Sequence, residues 1–98
     1  MTATVPKLTP GRRQALAVGL WSADVQSGRF AESNRSSEIV NLDRQGARAR
    51  PTVYWQHVNW LTATDPPLAV VVGHIGTNRD CRLTNAGMRL ARASEGLT

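Results

Sequence analysis

Apolar side chains recur at helical spacing near the start of the chain. Leu16 and Leu20 lie four residues apart, on one side of a helix. Thr9 is a suitable helix cap, and Pro10 suits the first helical position, where a missing N–H costs nothing. The pattern therefore predicts a first helix over residues 10–24.

The next two segments are shorter. Residues 29–31 suit a short strand between stretches rich in turn-forming residues. In residues 36–46, serines that can cap a helix precede Ile39 and Val40, and Gly46 suits the position after a helix end. A short second helix is predicted over residues 36–46.

Residues 50–64, RPTVYWQHVNWLTAT, contain three of the five aromatic residues of the chain and no acid. Tyr54, Val58 and Leu61 recur at helical spacing and form one apolar stripe. We predict a third helix over residues 52–63, with this stripe in the core.

The aromatic residues of this third helix give two different expectations. Tyr54 and Trp60 are expected in the core, because aromatic residues at helical spacing in a small domain are usually buried. Trp55 borders the polar side of the helix and is expected to be about half exposed.

The polar side of the third helix is a candidate for reading DNA. It carries Gln56 and Asn59, joined by Thr52 at its N-terminal end. Side-chain amides pair with adenine edges in a major groove. A plain solvated helix surface is an equally good explanation of the same residues.

The last third of the chain predicts a hairpin followed by a helix. Residues 68–72 are rich in β-branched side chains, residues 76–78 have turn chemistry, and residues 81–83 return as a second strand. Thr84 is then a suitable cap for a closing helix over residues 85–93.

The charge balance is unusual for a domain of this size. Twelve basic residues face seven acidic ones, for a net charge of +5, and eleven of the twelve are arginine. The planar guanidinium group matches phosphates and guanine edges, so this excess favours a nucleic acid or an acidic protein surface as partner. A GC-rich genome, which encodes Arg in place of Lys, explains the arginine content equally well.

Three of these arginines precede the third helix. Arg44, Arg48 and Arg50 lie in a predicted loop, and residues 44–64 contain no acid, so these side chains are candidates for phosphate contacts. Arg79 lies at the predicted tip of the hairpin, where it suits a minor groove or a phosphate. A solvated loop is the alternative for the three-arginine segment.

Most other functions lack the residues that they need. Cys81 is the only cysteine, and His57 and His74 lie in different elements, so we expect no disulfide, no metal site and no cofactor. No nucleophile motif or phosphate-cradling loop is present, which argues against an enzyme. No apolar run is long enough for a signal peptide or a membrane span, so a soluble cytoplasmic protein is expected.

The succession of elements and several local stretches resemble a known family. LTPGRRQAL, SNRS, VYWQHVNWL and RLTNAGMRLA are similar to stretches of the small winged helix-turn-helix proteins of actinobacteria and their phages. The resemblance implies an α+β fold with three helices, a two-stranded β wing and a C-terminal helix. It also implies a winged-helix domain over residues 9–93 between flexible ends, residues 1–8 and 94–98.

The family resemblance and the charge together predict a sequence-specific binder of double-stranded DNA. In this hypothesis, a small transcriptional regulator reads the major groove with helix 52–63 and holds phosphates with the arginine loop and the wing. The alternative is a protein-interaction module on the same scaffold, for example a phage protein that binds a host factor, since aromatic residues and arginine are favoured at interfaces. The short C-terminal helix suits a monomer or a weak homodimer.

Overall fold

The computed structural model describes residues 7–25, 28–41 and 49–96, and within them it has three helices and five strands. In chain order these are α1 (Pro10–Val25), β1 (Phe30–Ser33), β2 (Glu38–Asn41), β3 (Ala49–Tyr54), α2 (Trp55–Ala63), β4 (Ala69–Ile75), β5 (Asn78–Leu83) and α3 (Asn85–Gly96). None of these helices is long and apolar enough to cross a membrane.

The five strands form one mixed sheet with the order β2-β3-β1-β5-β4. β1 pairs with β3 in parallel, whereas the other three pairings are antiparallel. β1 is therefore the central strand, and β2 and β4 are the edges. β4 changes register against β5 between Val71 and Gly73, which leaves an irregularity in this edge strand.

One core joins the three helices to a single face of the sheet. In β5, Cys81 and Leu83 are buried while Arg82 between them is exposed, as expected for a strand with one covered face. The buried residues of the core cluster are Ala15, Leu16, Val18, Leu20, Phe30, Val53, Val58, Leu61, Leu68, Ala69, Cys81, Leu83 and Ala91. By the pairing register, Ala31, Thr52, Asp80 and Arg82 point to the opposite face.

The prediction of a second helix over residues 36–46 is wrong. Residues 38–41 form β2, which pairs antiparallel with β3, so that Ile39 lies opposite Pro51. A short apolar run such as Ile39 and Val40 fits either element, and β-branched residues favour a strand when a partner strand is close. Residues 42–46 of the predicted helix lie outside the described residues.

The predicted third helix begins three residues later than expected. Residues 52–54 belong to β3, and the chain passes directly from Tyr54 into α2. Val53 is fully buried between its neighbours in the sheet, in a position that a helix would not supply. Val53 therefore packs into the core as part of the sheet and not as part of a helix.

The predictions of the first helix, the hairpin and the closing helix are confirmed. Thr9 accepts a hydrogen bond from the Arg12 N–H at 3.3 Å and caps α1. Thr84 accepts one from the Gly87 N–H at 3.1 Å and caps α3, which continues to Gly96, beyond the expected boundary at residue 93. The hairpin is present as β4 and β5.

The α+β class is confirmed, but the winged-helix arrangement is not. The expected two-stranded wing is part of a five-stranded sheet, and the described chain has three helices where four were expected. Of the additional strands, β2 lies where the second helix was predicted, and β3 covers the end of the predicted arginine loop and the start of the predicted third helix.

Candidate nucleic-acid interface

The outward side of α2 is polar and exposed, as expected. Val58 and Leu61 are fully buried against the sheet, whereas Gln56 and Asn59 are exposed. The first turn of α2 contains no acid. The positive end of the helix dipole is therefore not neutralised by a side chain of that turn.

Arg79 lies within β5 rather than at the tip of the hairpin. Its Nη2 donates to Glu32 Oε2 at 2.8 Å, and its backbone N–H donates to Glu32 Oε1 at 2.9 Å. The same Nη2 donates to Asn59 Oδ1 at 2.7 Å. The structure thus joins two of the predicted DNA-binding residues, Asn59 and Arg79, through an acid that the sequence did not single out.

The contacts of this Glu32–Arg79–Asn59 network change the chemistry of each member. Hydrogen bonding to Arg79 holds the pKa of Glu32 below its usual value, although partial burial acts in the opposite direction. Hydrogen bonding to Glu32 likewise raises the pKa of Arg79. Both groups are therefore ionised at neutral pH, and the side chain of Arg79 is only 25% exposed.

The orientation of the Asn59 amide follows from its partner. A guanidinium group has donors and no acceptor, so the oxygen of the amide must face Arg79. The Nδ2 group then points away from Arg79, on an exposed residue. Asn59 consequently presents a hydrogen-bond donor to its surroundings.

Thr52 is not part of the exposed face of α2. It lies in β3 and is only partly exposed, and its hydroxyl is within donor distance of two backbone carbonyls, Glu38 O at 3.1 Å and Ser36 O at 3.3 Å. These contacts tie β3 to the segment that leads into β2. The prediction that Thr52 lies at the start of a reading helix is wrong, because that residue is extended.

The three-arginine segment is described only at its end. Arg44 and Arg48 lie outside the described residues. Arg50 is in β3, opposite Val40 in the pairing with β2, and not in the predicted loop. Strand pairing therefore fixes the backbone of at least one of the three candidate phosphate contacts.

Two of the three aromatic residues of this region, Tyr54 and Trp60, are more exposed than expected. Tyr54 and Trp60 are only partly buried, and the Arg12 guanidinium stacks 4.5 Å from the Trp60 ring centroid. Trp55 is 40% exposed, which agrees with its expected position at the border. Phe30, to which the sequence assigned no core position, is the largest fully buried side chain in the described part of the chain.

Several polar residues near this interface were not predicted as functional. Glu32 and Arg79 are 47 residues apart in the sequence, and no local pattern predicts such a pair. Arg12 and Arg35 belong to regions that were assigned only to a helix and a turn. Within the described residues, no group of three or more His, Cys, Asp or Glu side chains is arranged to hold a metal ion.

Comparisons with protein-family models, with curated proteins and with solved structures found no match to this chain.

Proposed function

We propose that this protein binds double-stranded DNA in a sequence-specific way, as a small transcriptional regulator. In this proposal α2 enters the major groove with Gln56 and Asn59, and the β4–β5 hairpin serves as the wing of a modified winged helix. The single observation that carries the proposal is the Asn59 amide, which is exposed on α2 and oriented by Arg79. The first turn of this helix contains no acid. A base-reading side chain needs such a defined orientation, because its hydrogen bonds must match one base edge.

The charge of the chain supports the same proposal. The net charge of +5 is carried almost entirely by arginine, the residue that best matches phosphates. Glu32, the acid beside Asn59, is already neutralised by its ion pair with Arg79, so it opposes the approach of DNA less than a free carboxylate would.

The proposal is tested by selecting bound sequences from a random duplex library at physiological salt. Recovery of one preferred sequence is expected for the wild type. Asn59→Asp retains an oxygen facing Arg79 but removes the amide donor, so it should alter the preference at one or two base pairs, by about 1 to 3 kcal/mol. Gln56→Ala should relax discrimination at a neighbouring position.

Asn85→Ala is the matched control, since it removes an exposed amide from the start of α3, on a different element. It should leave the selected sequence unchanged. If no preferred sequence emerges for the wild type, or if all three variants behave alike, the proposal of sequence-specific binding is wrong.

A protein-interaction module is the second candidate, and one observation favours it. The edge strand β4 exposes four large apolar side chains, Val70, Val71, Val72 and Ile75, each at least 39% exposed. Edge strands with apolar side chains are templates for pairing with another chain. If the duplex selection recovers no preferred sequence, β4 and Trp55 are the expected contact surface for a protein partner.

A further inference from the structure

The edge strand β4 has an outer side to which no strand is paired in the described part of the chain. β4 is seven residues long, and its inner side pairs antiparallel with β5. A free edge of this kind presents a row of backbone N–H and C=O groups that can pair with another extended chain. Many proteins protect such an edge with charged side chains, with prolines or by keeping the strand very short.

The two edges of the sheet differ in this protection. β2, the other edge, has only four residues and begins with the charged Glu38. β4 contains no proline, and residues 66–78, which include it, contain no Asp, Glu, Lys or Arg. The protective feature that β4 does have is the register irregularity between Val71 and Gly73. β4 is therefore the edge that is more open to pairing.

The exposed apolar side chains of the described residues are concentrated on β4. Of six large ones, four lie on this strand, namely Val70, Val71, Val72 and Ile75. By the pairing register, Val71 lies on the face that the helices cover, whereas Val70 and Ile75 lie on the opposite face. A chain that pairs with this edge would therefore meet apolar side chains on both faces of the sheet.

These properties define the chemistry of the partner strand. It must be extended, uncharged and apolar on both faces, because a strand with one polar face would place polar side chains beside Val70 or Val71. β4 itself meets all three conditions. The net charge of +5 repels a second copy at long range, but β4 brings no Lys or Arg to the contact. The neighbouring charged residues of the sheet lie on β5, one strand further in.

From the free edge, its apolar side chains on both faces and its lack of charge, we infer that β4 pairs antiparallel with β4 of a second copy of this chain. A twofold axis at the edge joins the two five-stranded sheets into one continuous sheet and leaves the helices of both copies on the same face. The inference goes beyond the proposed reading of DNA and does not require it.

The size of the contact sets the strength of this dimer. The paired edge is about 23 Å long and about 10 Å thick, so it covers a few hundred Å², below the about 800 Å² per partner of a standard interface. The dimer is therefore weak, and its population depends on the protein concentration.

The test is sedimentation equilibrium of the protein at physiological salt, over concentrations from about 10 µM to about 1 mM. A monomer–dimer equilibrium is expected for the wild type. Val72→Lys should weaken the dimer about tenfold or more, because it brings a positive charge to the middle of each paired strand. Ile39→Lys is the matched control, since it adds the same charge at a side chain of equal exposure, 39%, on the other edge strand. It should change the dimer constant less than about twofold.

A measurement on the wild type alone locates the contact without any variant. A sample that mixes isotope-labelled and unlabelled chains should give NOEs between the β4 residues of two copies, including the Hα–Hα contacts typical of antiparallel pairing. NOEs from another surface would overturn the inference. Equal weakening by Val72→Lys and Ile39→Lys would also overturn it, because charge alone would then explain the effect.

A wild type that stays monomeric at about 1 mM would refute the self-pairing of β4 and leave this edge to a strand of a different protein. The duplex selection fails or succeeds independently of this result. A monomer that selects one duplex refutes only the dimer, whereas a dimer that selects none refutes only the proposed DNA binding.

Discussion

Gly87 lies in the first turn of α3, where the helix passes over the carbonyl group of Leu68. A β-carbon at this position would overlap the Leu68 oxygen. That carbonyl cannot turn away, because Leu68 O accepts a hydrogen bond from Thr84 N at 3.0 Å and Leu68 N donates to Leu61 O at 2.8 Å. At the scale of one residue, the absence of a side chain thus sets how closely α3 approaches the sheet.

We predict that Gly87→Ala destabilises the protein by about 1 to 3 kcal/mol, as overpacking does elsewhere. The sign is informative, since alanine is favoured over glycine in a helix by about 1 kcal/mol. Gly73→Ala is the control, because a β-carbon there would meet no atom within 4 Å. The measurement is denaturant unfolding of both variants, and stabilisation by Gly87→Ala would contradict the close approach.

The ion pair of Glu32 predicts a dependence of stability on pH. Arg79 lowers the folded-state pKa of Glu32 below the unfolded value of 4.5. The contribution to stability is then fully present above pH 4.5 and is lost as the pH falls through the folded pKa. We expect the difference in unfolding free energy between wild type and Glu32→Gln to be constant from pH 6 to 8 and to shrink below about pH 4.5.

Glu38→Gln is the control for Glu32→Gln, since it removes an exposed carboxylate that forms no ion pair in the described part of the chain. A Glu32→Gln difference that grew on acidification would have the wrong sign for a lowered pKa and would refute the assignment.

At the scale of elements, β5 is the strand that joins the edge strand β4 to the central strand β1. It pairs with β1 on one side and with β4 on the other, and it carries Cys81 and Leu83 into the core. α2 is attached to the same strand through the contact of Asn59 with Arg79. Separation of β5 from β1 would therefore open the core and release α2 together.

The rate at which the Cys81 thiol is labelled measures this separation of β5 from β1. Burial raises the pKa of its thiol to about 11, and the side chain is fully buried in the folded protein. Because the thiolate is the reactive form, we predict no labelling by a thiol reagent at pH 8 unless the β1–β5–β4 sheet opens. Phe30→Ala, which should cost about 3 to 5 kcal/mol, should accelerate labelling strongly, whereas labelling of folded wild type as fast as a free thiol would contradict the buried position.

At the scale of the whole molecule, the basic residues are spread over several elements. Exposed arginines lie on α1, in the turn before β2, on β5 and on α3. A uniform excess of positive charge attracts DNA to every surface of the protein alike, whereas a clustered excess directs DNA to one surface. The dependence of DNA affinity on salt distinguishes these two distributions.

We predict that replacing Arg44, Arg48 and Arg50 with alanine weakens binding to all duplexes. It should also flatten the slope of log affinity against log salt by roughly one unit for each lost phosphate contact. The matched control replaces Arg82, Arg89 and Arg92, which are exposed on β5 and α3. Titration of labelled duplex at several salt concentrations measures both slopes, and equal changes in the two variants would mean that charge acts without a defined face.

Local signals determined α1, the β4–β5 hairpin and α3. Thr9 and Thr84 cap their own helices, and the turn residues between β4 and β5 act over a few positions, so the sequence alone was sufficient for each. It also located the exposed amides of α2, because helical spacing places Gln56 and Asn59 opposite the buried Val58 and Leu61.

The tertiary structure alone decided the remaining features. Residues 38–41 form a strand because β3 pairs with them, and residues 52–54 are extended because they pair with β1. A short apolar run is compatible with a helix or a strand until such a partner is present. The Glu32–Arg79–Asn59 network likewise exists only after β1, β5 and α2 have met, since contacts between residues this far apart in sequence leave no local pattern.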